Sequence, residues 1–218
     1  PTVGAVCSAI KFTDGTRYWL TTADVITTNT WHHVAIMYKP SEWRIYIDGV
    51  KRAERTDISK TPAANALPLW IGNEQGTTGR VMNGLIDEVR ISNTVRYAVD
   101  FTPPTAPFSP DASTMGLWHL DEGSGQTAGD ATGVNSGRLG STSGSDANDP
   151  TWVTVPTWVP GKFGKALSFD GHAYVQVAHS TSMDVDDYYT FEAWVYLTND
   201  DDFRGLFRRG AQGVLASE

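Results

Sequence analysis

Cysteine is almost absent. Cys7 stands alone in 218 residues, so no disulfide can form within the chain. A cytosolic protein would show the same, so this decides little about compartment. Charge is also sparse: charged residues make up 19%, below the usual quarter, and the formal net charge is −8. The basic surface that marks nucleic-acid binding is therefore missing, and no nucleic-acid partner is expected. Metal cations and neutral ligands stay open. No apolar run approaches a membrane span and no signal peptide is visible, so no membrane insertion is expected. Helical periodicity does not persist beyond about a turn. The weakly hydrophobic, highly charged signature of disorder is missing too. The chain begins at Pro1 without Met and reads as a piece of a longer protein.

What is present is turn chemistry between alternating segments. Trp31–Gly49, WHHVAIMYKPSEWRIYIDG, reads as two strands joined by Lys39-Pro40-Ser41-Glu42 and closed by Asp48-Gly49. Similar alternation occurs in AVCSAIKF (5–12), RYWLTT (17–22), LPLWIG (67–72), GLIDEVRIS (84–92), GLWHL (116–120), KALSF (165–169) and FEAWVYL (191–197). Residues 98–115 carry four prolines and read as an extended linker. Residues 121–149 are rich in Gly, Ser, Asp and Asn and are expected to stay outside the core, and 204–218 suggest one or two last strands. The fold class is all-β, with about a dozen short strands.

The run WHHVAIMY…WRIYIDG, then LWIGN, then GLIDEVRIS, closely resembles the second half of a laminin-G-like domain of the concanavalin A-like lectin/glucanase superfamily. GLWHLDEGSG…DATGVNSG, GKFGKALSFDG, YVQV and FEAWVYL resemble its first half. The resemblance implies a jelly-roll sandwich of two antiparallel sheets, with its halves in permuted order. Residues 1–97 would supply the C-terminal half, 98–115 the Pro-rich linker and 116–218 the N-terminal half. Either the segment spans the middles of two successive domains, or the halves close into one circularly permuted sandwich. Half a sandwich exposes a whole apolar face and unpaired edges, so closure is expected. Closure within one chain is preferred over a swapped dimer, because its effective concentration is higher.

Four aspartates are candidate metal ligands. Strict alternation puts Asp87 on one face with Leu85, Val89 and Ile91, where an ionised carboxylate needs a partner. Calcium, a hard cation served by oxygen, is one such partner. Asp121, Asp130 and Asp170 offer further oxygens, although each could equally cap a turn. The resemblance adds that many superfamily members hold a structural calcium near the first and last strands, where Asp87 and Asp121 fall. His32 and His33 are neighbours in a strand and point to opposite faces, so they cannot chelate one ion.

Sugar binding needs flat aromatic faces with nearby polar groups. Trp152, Trp158 and the Tyr188-Tyr189 pair are expected in loops, where binding residues concentrate. Glu192, Trp194 and Tyr196 share a strand face, for which packing within the sandwich is the plainer role. Retaining glycosidases need two carboxylates about 5 Å apart. The Glu-x-Asp-x-x-Glu type strand of the hydrolytic relatives is not found, nor is G-x-S-x-G. Cys7 reads as a small buried residue.

The expectation is a non-catalytic recognition module of a secreted or cell-surface protein, binding a glycan or polysaccharide, with structural Ca²⁺. The alternatives are a spacer or adhesion repeat meeting neighbouring domains, and a polysaccharide-active glycosidase.

Overall fold

The computed structural model describes residues 5–72, 82–154, 163–185, 187–198, 204–209 and 212–216. They form two packed antiparallel sheets. The first runs, edge to edge, β2 (Arg17–Val25), β1 (Ala5–Lys11), β16 (Gln212–Ala216), β15 (Arg204–Arg209), β6 (Leu69–Ile71), β13 (Val175–Val177), β10 (Gly137–Leu139) and β9 (Thr127–Ala128). The second runs β11 (Thr151–Thr154), β12 (Lys165–Asp170), β7 (Asn83–Ser92), β14 (Tyr189–Leu197), β3 (Trp31–Lys39), β4 (Glu42–Ile47) and β5 (Val50–Arg55). A further strand, β8 (Thr114–Trp118), pairs with β7. The architecture is a sandwich of two antiparallel β-sheets.

Strands from either side of the proline-rich stretch alternate in both sheets. β14 lies between β3 and β7, and β6 lies between β15 and β13. The first and last described strands are neighbours, with Val6 opposite Ala216. One core cluster joins Ile36, Ile45 and Val89 to Leu139, Val175 and Val195. Burying an aliphatic side chain of this size contributes roughly 1.5–3 kcal/mol, which favours this sheet-on-sheet packing.

The β3–β4 hairpin forms where its alternation places it. Asp48 and Gly49 both take positive φ, 52° and 77°, as a two-residue type I′ turn requires. Residues 98–113 are not a free tether. They lie as a strap on the outer face of the second sheet. Phe101 N–H donates to the Gly49 carbonyl at 2.8 Å, Arg44 Nη1 donates to the Ala98 carbonyl at 2.8 Å, and Phe108 is buried.

Alternation fails at one place that matters. β14 and β7 shift register between Glu192 and Trp194, and the bulged residue Glu88 has φ 53°. The bulge resets the phase of β7. Ile86, Val89 and Ile91 enter the main core, while Leu85 packs with the cluster under the strap. Asp87 therefore does not share the face of Val89 and Ile91, as strict alternation had implied. The polar stretch 121–149 also departs from expectation: it contains β9 and β10, and Ala128 and Leu139 reach the core.

Candidate functional site

Three short strands of the first sheet each carry one polar or amphipathic residue between inward neighbours: Trp70 between Leu69 and Ile71, Gln176 between Val175 and Val177, Arg138 between Gly137 and Leu139. Period two turns these residues to the outer face. Register then lines them up. Thr127 faces Arg138, Arg138 faces Gln176, Gln176 faces Trp70 and Trp70 faces Arg208. The row continues through Gly213 and Ala9 to Trp19, which is 53% exposed. It crosses the whole sheet. Beside it, a cleft of about 540 Å³ is lined by residues including Pro68, Ser136, Arg138, Gln176 and His179.

Arg138 Nη2 donates to Gln176 Oε1 at 2.7 Å, which fixes the two side chains against each other. Trp70 Nε1 and Arg138 Nε are covered by their surroundings and have no hydrogen-bond acceptor among the described residues. Burial and the charge of Arg17 push Arg208 below the usual guanidinium value. The arrangement offers aromatic surface, a side-chain amide and positive charge along one line. No Asp or Glu occupies the row.

A second polar cluster sits under and beside the strap. Glu192 is fully buried. It accepts from Arg90 Nε at 2.8 Å and from Tyr97 OH at 2.6 Å, and His33 Nε2 lies 3.3 Å away. Burial works against its ionisation, yet His33, Arg90 and Tyr97 hold its carboxyl below the ordinary value. The His33 ring packs edge-on against Phe101, Phe108 and Trp194. Glu192 and Trp194 thus serve packing rather than an open site. His32 turns the other way, to Asp48 at 2.7 Å.

The segment 163–165 brings two of the four candidate aspartates together. Phe163 N–H donates to Asp87 Oδ2 at 3.1 Å, and Lys165 N–H donates to Asp121 Oδ1 at 2.5 Å. Asp87 is 0% exposed and its Oδ1 has no hydrogen-bond partner among the described residues. Burial, with the charges of Glu88 and Asp121 adding to it, pushes Asp87 up to about 8. Gly164 has φ 68°, and a Cβ there would lie 2.2 Å from Asp121 Oδ1, so a side chain at 164 would be strained and would displace the Asp121 carboxylate. An orphaned buried oxygen beside a second carboxylate suits a hard cation completed by carbonyls and water.

No group of three or more His, Cys, Asp or Glu able to hold an ion occurs among the described residues, and Asp130 and Asp170 each lie in a hydrogen-bonded turn of their own. Asp130 accepts from the amides of Leu117, Thr132 and Asn135, which, with the Thr132 hydroxyl, hold it low against the effect of burial. Asp170 Oδ1 accepts from the amides of His172 and Ala173. Both act as turn carboxylates here.

Of the aromatic candidates, Tyr188 is 51% exposed just ahead of β14, whereas Tyr189 is buried and stacked on Tyr38 at 5.7 Å. Trp152 belongs to β11 and not to a loop, opposite Leu167. Trp158 lies outside the described residues. Trp70, Arg138 and Gln176 were not singled out in the sequence. Their alternation was visible there, but their alignment depends on strands up to 106 positions apart (70 to 176).

Residues 7–100 match a laminin G family model described as the concanavalin A-like lectin/glucanases superfamily. No curated protein and no solved structure matches the chain.

Proposed function

We propose, from the match of residues 7–100 to a model of the concanavalin A-like lectin/glucanase superfamily, that this protein is a non-catalytic carbohydrate-recognition module. The glycan lies on the outer face of the first sheet. The observation that carries this reading is the aligned row Arg138–Gln176–Trp70–Arg208 beside its cleft. An indole offers a flat face to sugar C–H groups, and the flanking amide and guanidinium hydrogen-bond hydroxyls. The row lacks the carboxylate pair that glycoside hydrolysis uses, which favours binding over cleavage. Asp87 and Asp121 would hold a structural calcium ion at the other sheet, away from the row. A secreted or cell-surface setting suits such a module.

A glycan array with the intact protein tests the reading, followed by affinity electrophoresis on Trp70→Ala. The variant should lose binding while its circular dichroism and melting cooperativity persist. Unchanged glycan affinity in Trp70→Ala would move the site elsewhere. A clean negative across neutral and charged polysaccharides, with the fold intact, would favour a spacer that meets neighbouring domains instead.

A further inference from the structure

Among the tryptophans whose surroundings are described, Trp31, Trp43, Trp118 and Trp194 are buried, Trp70 is half-buried, and Trp19 is 53% exposed. One exposed indole is ordinary by itself. The position of this one is not. In β2, Tyr18 packs on the main core and Leu20 enters it, so period two turns Trp19 to the outer face. Register then sets Trp19 opposite Ala9, Ala9 opposite Gly213, Gly213 opposite Arg208 and Arg208 opposite Trp70. The two indoles stand on one line across the strands, four strand spacings or roughly 19 Å apart.

The floor between them is low. Gly213 has no side chain, and Ala9 offers only a covered methyl group. Arg208, half-buried and engaged within the protein, belongs to that floor. Beyond Trp70 the line passes the Gln176–Arg138 pair to Thr127. It ends on an edge strand at either side, β2 and β9, where Trp19 and Thr127 are both exposed. A short sugar held in the cleft beside Arg138 and Gln176 would leave Trp19 out of reach. A linear glycan lying across the strands advances by about one strand spacing per sugar, so about five residues are needed to span from one indole to the other.

Resting on the carbohydrate reading above, we infer that Trp19 is a second sugar platform of this face, and that the ligand is an internal stretch of a linear polysaccharide reaching from Trp70 to Trp19. Each indole meets sugar C–H groups, and the low floor lets the chain pass between them. Two platforms on one chain act as linked sites, so engagement at Trp70 raises the effective concentration of sugar at Trp19. Trp19 thereby sets the chain length that the face selects.

The test is titration calorimetry of the full chain with size-graded oligosaccharides of laminarin, xylan and homogalacturonan, from disaccharide to decasaccharide. In a series that binds, affinity should rise with length up to at least about five residues. Trp19→Ala should remove that rise, weakening the longest chain about tenfold, the scale of one lost aromatic contact. Trp19→Phe keeps a ring and should retain part of the rise. Val99→Ala, which removes a 73% exposed side chain from the strap, should retain all of it. Melting curves check that each variant stays folded. Full affinity already at the trisaccharide, or a rise that survives Trp19→Ala, would overturn the inference and leave the carbohydrate reading standing. Array binding confined to terminal or branched sugars, with none of the three series bound, would do the same. A blank array and three silent series, from a protein that melts cooperatively, would overturn both.

Discussion

Arg90 and Glu192 are 102 residues apart in the chain and 2.7 Å apart in space. The pair joins β7 to β14 beneath the strap, where Phe108 lies over the guanidinium at 4.1 Å. Removing one partner leaves the other buried and uncompensated. Glu192→Ala should therefore cost about 3–5 kcal/mol in urea unfolding. The double variant Glu192→Leu/Arg90→Met should cost less than Glu192→Ala, because it leaves no orphaned charge at that contact. Wild type should also lose stability in acid. The Glu192 carboxyl is held below its unfolded value, so its contribution is present above that value and fades as pH falls through the folded one. Equal costs for the single and double variants would show that the pair is not an isolated charge problem.

The strap is held by aromatic contacts, with Tyr97 stacked on Phe101 at 3.6 Å and Phe108 against His33 at 6.0 Å. Phe108→Ala should cost about 3 kcal/mol or more, the usual loss for a buried phenylalanine. Limited proteolysis should then cut first between 98 and 113. Cleavage elsewhere, with 98–113 still protected, would mean that Phe108 does not anchor the strap.

Much of the fold could be read locally, because β3, β4 and β14 each keep a period-two pattern over six residues or more. The failures have separate causes. The Glu88 bulge depends on a two-against-one register with β14, which no residue type near Asp87 announces. β9 and β10 are two and three residues long, too short for alternation to show against their glycines and serines. The binding row fails for a third reason. It is a line across strands, so its members appear in the sequence as isolated residues at 70, 138, 176 and 208. Asp87 was legible as an anomalous carboxylate, although strict alternation assigns it the wrong face.

Gly49 answers two constraints at once. Its φ of 77° disfavours any side chain, and a Cβ there would lie 1.8 Å from the Phe101 carbonyl oxygen. That oxygen is backbone and cannot swing aside. Gly49→Ala should therefore destabilise by more than the ~1 kcal/mol expected of a left-handed position alone. It should also raise amide exchange at Phe101, whose N–H is bonded to the Gly49 carbonyl. A variant with wild-type stability would show that the strap accommodates the methyl group.

Asp87 connects pH to the proposed calcium. Its carboxyl is pushed from the ordinary 3.8 to about 8 by burial, with Glu88 and Asp121 contributing. Between those values the folded protein keeps a proton that the unfolded chain has released. In EDTA, stability should therefore fall as pH rises through that window. Calcium would favour the ionised form and should reverse the trend, adding about 2.7 kcal/mol at 100-fold saturation. Asp87→Asn keeps the shape and removes the titration. It should flatten the pH dependence in EDTA and cancel the calcium effect, while Asp130→Asn, in a separate turn, should leave both in place. Melting curves at the two ends of the window, with EDTA and with calcium, provide the measurement. A calcium shift that survives Asp87→Asn would place the ion elsewhere, and a flat wild-type profile in EDTA would mean that Asp87 is not the buried neutral acid described.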